Sequence, residues 1–193
     1  MPPAVEPPAE VRADERPPPA ARPDVLTPAL HALALFTVVR ASEAYLYPIP
    51  FADFESRAIA HRWADAVTRP PIFYPRRRAF EWDADPWPIN VVGHGLMGSE
   101  LYVRARACNL GVAGSLAFTA LASGVWEYAF EGNGVRPSAL DLVYTPLAGL
   151  ALGEARFQVW RAAGGFDGRA ARAVTRSIVD PFGEIERALG AGC

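Results

Sequence analysis

The strongest constraint on the fold is the stretch 123–154, in which two apolar helical patterns flank a Gly-Asn-Gly turn. The second pattern begins at Ser138, a residue type that commonly caps a helix. A connection this short makes the two helices antiparallel neighbours. Three acids crowd the turn, Glu127, Glu131 and Asp141, although carboxylates are costly among apolar side chains unless they are paired or solvated. The sequence therefore places candidate chemistry or binding at this turn.

Helical patterns cover most of the chain and predict an all-α protein, a small antiparallel helical bundle associated with a membrane. The expected helices cover residues 27–47, 51–67, 90–107, 111–131 and 138–161, with two short helices within 166–193. Prolines make 69–88 irregular. Eight prolines in 1–24 predict a disordered tail, which leaves 25–165 as the bundle domain and 166–193 as a C-terminal region.

Membrane association rests on the apolar content of the chain. Hydrophobic residues make up 51% of the sequence, and the uncharged run 107–126 is long enough to cross a bilayer. Small and polar residues dilute that run, so a buried core helix is the alternative. The segment 69–88 alternates aromatic residues with the Arg76–Arg78 cluster, which suits either a lipid headgroup region or a surface loop.

Charge and cysteine content exclude other classes of function. A net charge of -2 gives no reason to expect a nucleic-acid partner. The two cysteines, Cys108 and Cys193, have neither the spacing of a zinc site nor that of a disulfide framework. We therefore expect Cys108 to be a small buried side chain and Cys193 to be a free thiol. No cofactor and no metal are expected.

Turn lengths predict which polar side chains meet. Counting residues back from the turns places His94 level with 124–127, because the three helices of 90–161 are antiparallel neighbours. The helix that starts at Ser138 begins at the same end of the bundle. We therefore expect a cluster within one or two side-chain lengths, with Arg136 as its counter-charge, whose candidate catalytic or binding members are His94, Glu127, Glu131, Asp141 and Ser138.

Simpler readings remain open for the members of this cluster. Ser138-Ala-Leu-Asp141 resembles a capping box with Asp141 in the place of glutamate. Glu127 and Glu131 are also compatible with a solvated helix end, and His94 with a purely structural role.

Arginines gather at the other end of the bundle. Glu100 and Arg104 are spaced for an ion pair on a helix surface. Alternatively, Arg104 and Arg106 would bind anionic headgroups.

Small residues predict close helix packing. Ser115, Thr119 and Ser123 recur every four residues on the helix 111–131, and Gly149 and Gly153 do so on 138–161. Such rows let helices approach closely, and we expect these two helices to contact each other along them.

The order of motifs from Trp82 to Arg161, and again at Asp180-Pro181-Phe182, resembles an uncharacterised bacterial envelope family known as domain of unknown function thirty-nine forty-three. The resemblance is carried by D-x-D-x-W-x-x-N from Asp83, then by His94, W-E-Y from Trp126, and P-S-x-x-D-L from Pro137. The second half also looks like the VanZ family and related small envelope lipoproteins. These resemblances imply an α-helical fold and an envelope location, without a reaction.

Three functions fit the sequence. The first is a non-enzymatic envelope protein at a membrane, whose polar cluster fixes packing or binds a lipid or a protein partner. The second is an enzyme acting on an envelope lipid or glycan, with His94 as general base and Glu127 or Asp141 orienting it. The third, a metal bound by His94, Glu127, Glu131 and Asp141, lacks a second histidine at helical spacing.

Overall fold

The computed structural model describes residues 22–193, and this part of the chain is all-helical. Its α-helices are α1 Leu26–Leu46, α2 Pro48–Phe51, α3 Ser56–Thr68, α4 His94–Ala107, α5 Gly111–Val125, α6 Ala139–Ala148, α7 Glu154–Ala163, α8 Arg169–Val179 and α9 Pro181–Ala188. Three π-helical segments extend them: Pro88–Gly93, Trp126–Phe130 and Gly149–Gly153. The sequence predicts disorder for residues 1–24. Of these, residues 1–21 lie outside the described residues, and residues 22–24 precede α1 without helical structure.

The uncharged run 107–126 does not form one long helix. Asn109 and Gly111 adopt positive φ values of 66° and 71°, which is the left-handed backbone that makes a tight turn. The turn separates α4 from α5, and α5 itself has only 15 residues. Within the described residues, no helix combines the length and the apolar character needed to cross a bilayer. The expectation of a span in this run is therefore wrong.

The core lies where α1 crosses α4 and the end of α5. The ring of Phe36 lies 5.4 Å from that of Trp126 and 5.3 Å from that of Phe130. Met97 and Leu101 of α4 belong to the same buried cluster. This packing holds α4 beside the π-helical segment that carries Glu127.

Glycines bring α6 and the following π-helical segment onto α4. A Cβ atom on Gly98 would lie 2.1 Å from the carbonyl oxygen of Thr145, and one on Gly149 would lie 2.7 Å from that of Gly98. Gly153 similarly faces Tyr102. The glycine row thus packs closely against α4, because α4 has a glycine at the crossing, and Thr119 of α5 also approaches Gly149.

The irregular segment 69–88 is attached to the start of α6 by backbone hydrogen bonds. The N–H of Ile72 donates to the carbonyl of Pro137, and the N–H of Ala139 donates to that of Ile72. This attachment brings Asp83 against Ser138, where their side chains form a hydrogen bond of 2.6 Å.

A disulfide joins Cys108 to Cys193, which corrects the expectation of two separate thiols. The two residues are 85 positions apart in the chain. They meet because α8 and α9 fold back towards the turn between α4 and α5, an arrangement that cysteine spacing alone cannot reveal. The bond fixes the end of the chain to that turn.

The expected surface ion pair between Glu100 and Arg104 is present, but it is buried. The side chain of Arg104 also approaches Asp180 at 3.0 Å and Glu186 at 3.1 Å. The residue following α8 and the helix α9 cover this part of α4, which removes Arg104 from solvent. Arg104 is therefore not placed to bind a headgroup, and that expectation is wrong.

Candidate functional site

Three side chains from two antiparallel helices meet at the expected end of the bundle. One ligand atom of each of His94, Glu127 and Glu131 lies within 4.8 Å of the others, and all three residues are buried. His94 begins α4, Glu127 lies in the π-helical segment after α5, and Glu131 follows that segment. The packing register predicted from turn lengths is therefore confirmed for this histidine and these carboxylates.

Asp141 of α6 completes the cluster. Its Oδ2 atom lies 3.7 Å from Nε2 of His94. The other ring nitrogen, Nδ1, lies 3.1 Å from Oγ1 of Thr145. This contact orients the imidazole ring and leaves Nε2 facing the acids. We define the acidic cluster as His94, Glu127, Glu131 and Asp141.

Ser138 connects the acidic cluster to its surroundings. Its Oγ accepts the N–H of Asp141 at 3.1 Å, as expected of a helix cap. Its hydroxyl donates to Asp83, and its own N–H donates to Oε2 of Glu127 at 2.7 Å. Glu127 thereby makes the bond that the third helical residue makes in a capping box. The carboxyl group of Asp141 instead faces His94 and also contacts Asp83.

A wide helical turn aims both glutamates at the cluster. In an α-helix, residues four apart are offset by about 40° around the axis. The N–H of Glu131 instead donates to the carbonyl of Trp126, five residues back. This longer ring lowers the rotation per residue, so it offsets the drift between Glu127 and Glu131. Single π-helical turns are frequent at functional sites.

Burial keeps protons on the acids of the cluster. It raises the pKa of Glu127 to about 8, with the nearby carboxylate of Asp83 adding to the effect while the Ser138 N–H opposes it. It raises the pKa of Asp141 to about 9, again reinforced by neighbouring carboxylates. For Glu131 the pKa also rises well above its usual range, through burial and the proximity of Glu127.

Two groups beside these acids shift the other way. Burial lowers the pKa of His94 to about 4, which makes its imidazole neutral near pH 7. Burial also acts to raise the pKa of Asp83, but hydrogen bonds from Ser138 and Asn90 outweigh it and lower that pKa. Asp83 is thus the member of the group most stably ionised.

Arg136 is not the counter-charge of the cluster. It makes no ion pair or side-chain hydrogen bond with a residue in 22–193, and its buried Nε atom has no partner there. The charged neighbours that raise the pKa of Glu131 most are carboxylates, Glu127 first among them. The turn places Arg136 close in sequence, but its side chain does not reach the acids.

Three acids beyond the expected set also influence the cluster. Asp83 and Asp85 stand out in the sequence as a pair in an irregular segment, with nothing to place them near α6. Nothing in the sequence around Glu43 of α1 predicts that it lies near the cluster. Each contributes to the raised pKa of Glu127. Their proximity follows from long-range packing, which helix periodicity does not report.

At the other end of the bundle, Arg106 donates to Glu154 at 2.8 Å, and the hydroxyl of Tyr102 donates to the same carboxylate at 2.9 Å. The guanidinium also lies over the ring of Phe157, 4.4 Å from its centroid. Arg156 binds Glu100. The arginines therefore gather as predicted, while headgroup binding by Arg106 stays a prediction.

Two apolar grooves run side by side on the outside of α4. One, of about 560 Å³, lies between the start of α4 and α6. The other, of about 530 Å³, lies between α4, α1 and the α8–α9 junction. They share Leu96 and Leu152. We define the apolar patch as the exposed side chains of these grooves: Val92, Leu96, Leu147, Leu152, Ile178 and Phe182.

Comparison with known proteins gives one family match. A family model described as "Domain of unknown function (DUF3943)" matches residues 79–182. This range includes the whole acidic cluster, the glycine crossing and the Arg104 network up to Phe182. No curated protein and no solved structure matches the chain.

Proposed function

The chain belongs to the DUF3943 family, and we propose that it is a membrane-associated protein of the bacterial envelope that docks on a bilayer through the apolar patch. The observation that carries this proposal is the continuity of the two grooves through Leu96 and Leu152. The family description assigns no activity, so the proposal rests on the chemistry of this surface.

The apolar patch suits hydrocarbon better than water. Leu96 and Leu147 are each 55% exposed, so large aliphatic side chains occupy helix positions that face solvent. Trp87, also exposed, lies just before the π-helical segment that leads to Val92. Tryptophan at the edge of an apolar surface is typical of a membrane interface. Shallow insertion of aliphatic side chains requires no spanning helix.

The disulfide supports an extracytoplasmic location. Bonds such as Cys108–Cys193 form and persist in oxidising compartments, and they are rare in the reducing cytosol. A protein of the envelope meets such conditions together with a membrane surface.

Vesicle flotation tests the docking proposal. The protein is mixed with vesicles of phosphatidylethanolamine and phosphatidylglycerol, and we expect it to float with them. The double variant Leu96→Ser/Leu152→Ser is expected to lose most of this binding. A matched control, Leu46→Ser/Val67→Ser, changes two exposed side chains elsewhere and is expected to float like the wild type. Absence of wild-type flotation, or equal loss in both variants, would contradict the proposal.

A second candidate function is an enzyme acting on an envelope lipid or glycan. It is favoured by the orientation of His94, whose neutral Nε2 faces Asp141 at 3.7 Å. An imidazole that is neutral near pH 7 is able to accept a proton as a general base. Rescue of a knockout strain by His94→Ala and by Glu127→Gln tests it. Folded but inactive variants would support catalysis, whereas full rescue by both would exclude it.

A further inference from the structure

We propose that His94, Glu127 and Glu131, with Asp141 as a fourth ligand, bind one divalent transition-metal ion. This inference is independent of membrane docking, because the acidic cluster is buried beneath the helix ends and shares no side chain with the apolar patch. It also departs from the sequence-based expectation that the protein has no metal.

The spacing of the donor atoms suits one ion. Metal–ligand bonds of about 2.0–2.2 Å place two ligand atoms about 3–4.4 Å apart. The ligand atoms of His94, Glu127 and Glu131 lie within 4.8 Å of one another. Asp141 approaches Nε2 of His94 at 3.7 Å. Three residues thus offer ligand atoms at a spacing close to that of one ion, and Asp141 stands next to the imidazole among them.

Two buried oxygen atoms in the cluster have no partner among the described residues. Oε1 of Glu127 and Oδ1 of Asp141 accept no hydrogen bond, although the residues are only 1% and 2% exposed. Asp83 differs from them, because both of its oxygens accept hydrogen bonds. An unpaired buried acceptor is costly, especially when it is charged. A cation between the two acids would satisfy both atoms.

The charge balance points the same way. No arginine among residues 22–193 forms an ion pair with Glu127, Glu131 or Asp141, whereas the opposite end of the bundle pairs its acids with Arg104, Arg106 and Arg156. Buried charges are normally paired or coordinate metals. No arginine thus offers the acidic cluster a counter-charge, and a bound cation would supply it as the acids give up their protons.

The surrounding hydrogen bonds hold the donors in a binding geometry. Thr145 fixes the imidazole of His94 through Nδ1, and the Ser138 N–H fixes one oxygen of Glu127. Partners of this kind orient the ligands of metal sites and tune their basicity. Imidazole combined with carboxylates favours ions such as Zn²⁺, Mn²⁺ and Fe²⁺ over Mg²⁺ and Ca²⁺, which prefer oxygen ligands alone.

The test uses the full chain with its disulfide intact. Reduced thiols of Cys108 and Cys193 would lie beside Asp24 and could bind zinc themselves. The protein is stripped with a chelator, dialysed, and titrated with Zn²⁺ and separately with Mn²⁺. Calorimetry and elemental analysis are expected to give one ion per chain for at least one of these metals. No stoichiometric uptake of either would overturn the proposal.

Variants locate the ion. Glu127→Gln/Glu131→Gln is expected to weaken binding at least 100-fold, and His94→Gln serves as a second ligand variant. The positioning variant Thr145→Val should weaken it about 10–100-fold. The control His61→Gln alters an exposed histidine of α3 and is expected to bind like the wild type. Wild-type affinity in the ligand variants, or loss in the control, would overturn the assignment.

Folding is checked on the same samples without metal. The glutamine variant keeps the side-chain shape and, like the protonated acids, carries no charge at these positions, so it is expected to melt no lower than the stripped wild type. Added metal should raise the melting temperature of the wild type and of the His61→Gln control, but not that of the glutamine variant. Flotation with and without metal then separates this proposal from membrane docking.

Discussion

Nη2 of Arg104 lies 3.0 Å from Oδ1 of Asp180, and both side chains are buried although 76 positions separate them in the sequence. Asp180 also caps α9 by accepting the N–H of Gly183. The two residues therefore couple the C-terminal helices to the central helix α4.

Removing the charge of Asp180 tests this coupling. We expect Asp180→Asn to destabilise the protein by about 1–3 kcal/mol, because it removes one of the three carboxylates that pair with the buried Arg104, while asparagine can still cap α9. Urea denaturation followed by circular dichroism measures the change. The control Asp65→Asn breaks the exposed pair with Arg69 and should cost no more than about 1 kcal/mol. Similar losses in both would contradict the burial argument.

Gly98 is expected to tolerate no side chain. Gly98→Ala places a methyl group against the carbonyl of Thr145, so α4 and α6 must separate, at a cost of about 1–3 kcal/mol or more. Gly124→Ala is the matched control, since a Cβ atom there meets no other atom within 4 Å. That change should stabilise helix α5 by about 0.5–1 kcal/mol. Thermal unfolding of the two variants should therefore shift in opposite directions.

The disulfide is expected to contribute about 2–4 kcal/mol, chiefly by restricting the unfolded chain. The double variant Cys108→Ala/Cys193→Ala, and the wild type in reductant, should both unfold at lower temperature than the oxidised wild type. Reductant should leave the double variant unchanged. An equal melting temperature for oxidised and reduced wild type would show that the bond adds no stability.

Glu43 gives the metal-free protein a pH dependence. Burial raises its pKa to about 7, although Arg40 acts against the shift. The folded state thus holds the proton more tightly than the unfolded state, for which the usual value is 4.5. This contribution to stability is complete below pH 4.5 and is lost as the pH rises through 7. Glu43→Gln should reduce that loss, as measured by urea denaturation across this range in chelator-treated protein. An unchanged pH profile would contradict the assignment.

The meeting of His94 with Glu127 could be predicted because it depends on local quantities, namely helix lengths and short turns. Asp83 and Glu43 could not be placed, since they reach the cluster through an irregular segment and through the crossing of α1. The same holds for Cys108 and Cys193, whose pairing depends on how α8 and α9 fold back.

The π-helical segments could not be predicted from the hydrophobic pattern of the sequence either. Apolar periodicity predicts helices over 111–131 and 138–161, and the structure has continuous helical segments there. The wide turns inside them leave the apolar pattern almost unchanged, yet they decide where Glu127 and Glu131 point. The prediction that Arg136 is the counter-charge was wrong because proximity in sequence does not fix the direction of a long side chain.

Three of the hydrogen bonds of Ser138 make the start of α6 a reporter for the acidic cluster. The hydroxyl that protects the amide of Asp141 also holds Asp83, and the backbone N–H of the same residue holds Glu127. Any ligand that draws these carboxylates together must therefore change how often the first turn of α6 opens. Hydrogen–deuterium exchange at Asp141 and Leu142 would measure that opening directly, in unlabelled wild-type protein and without an activity assay.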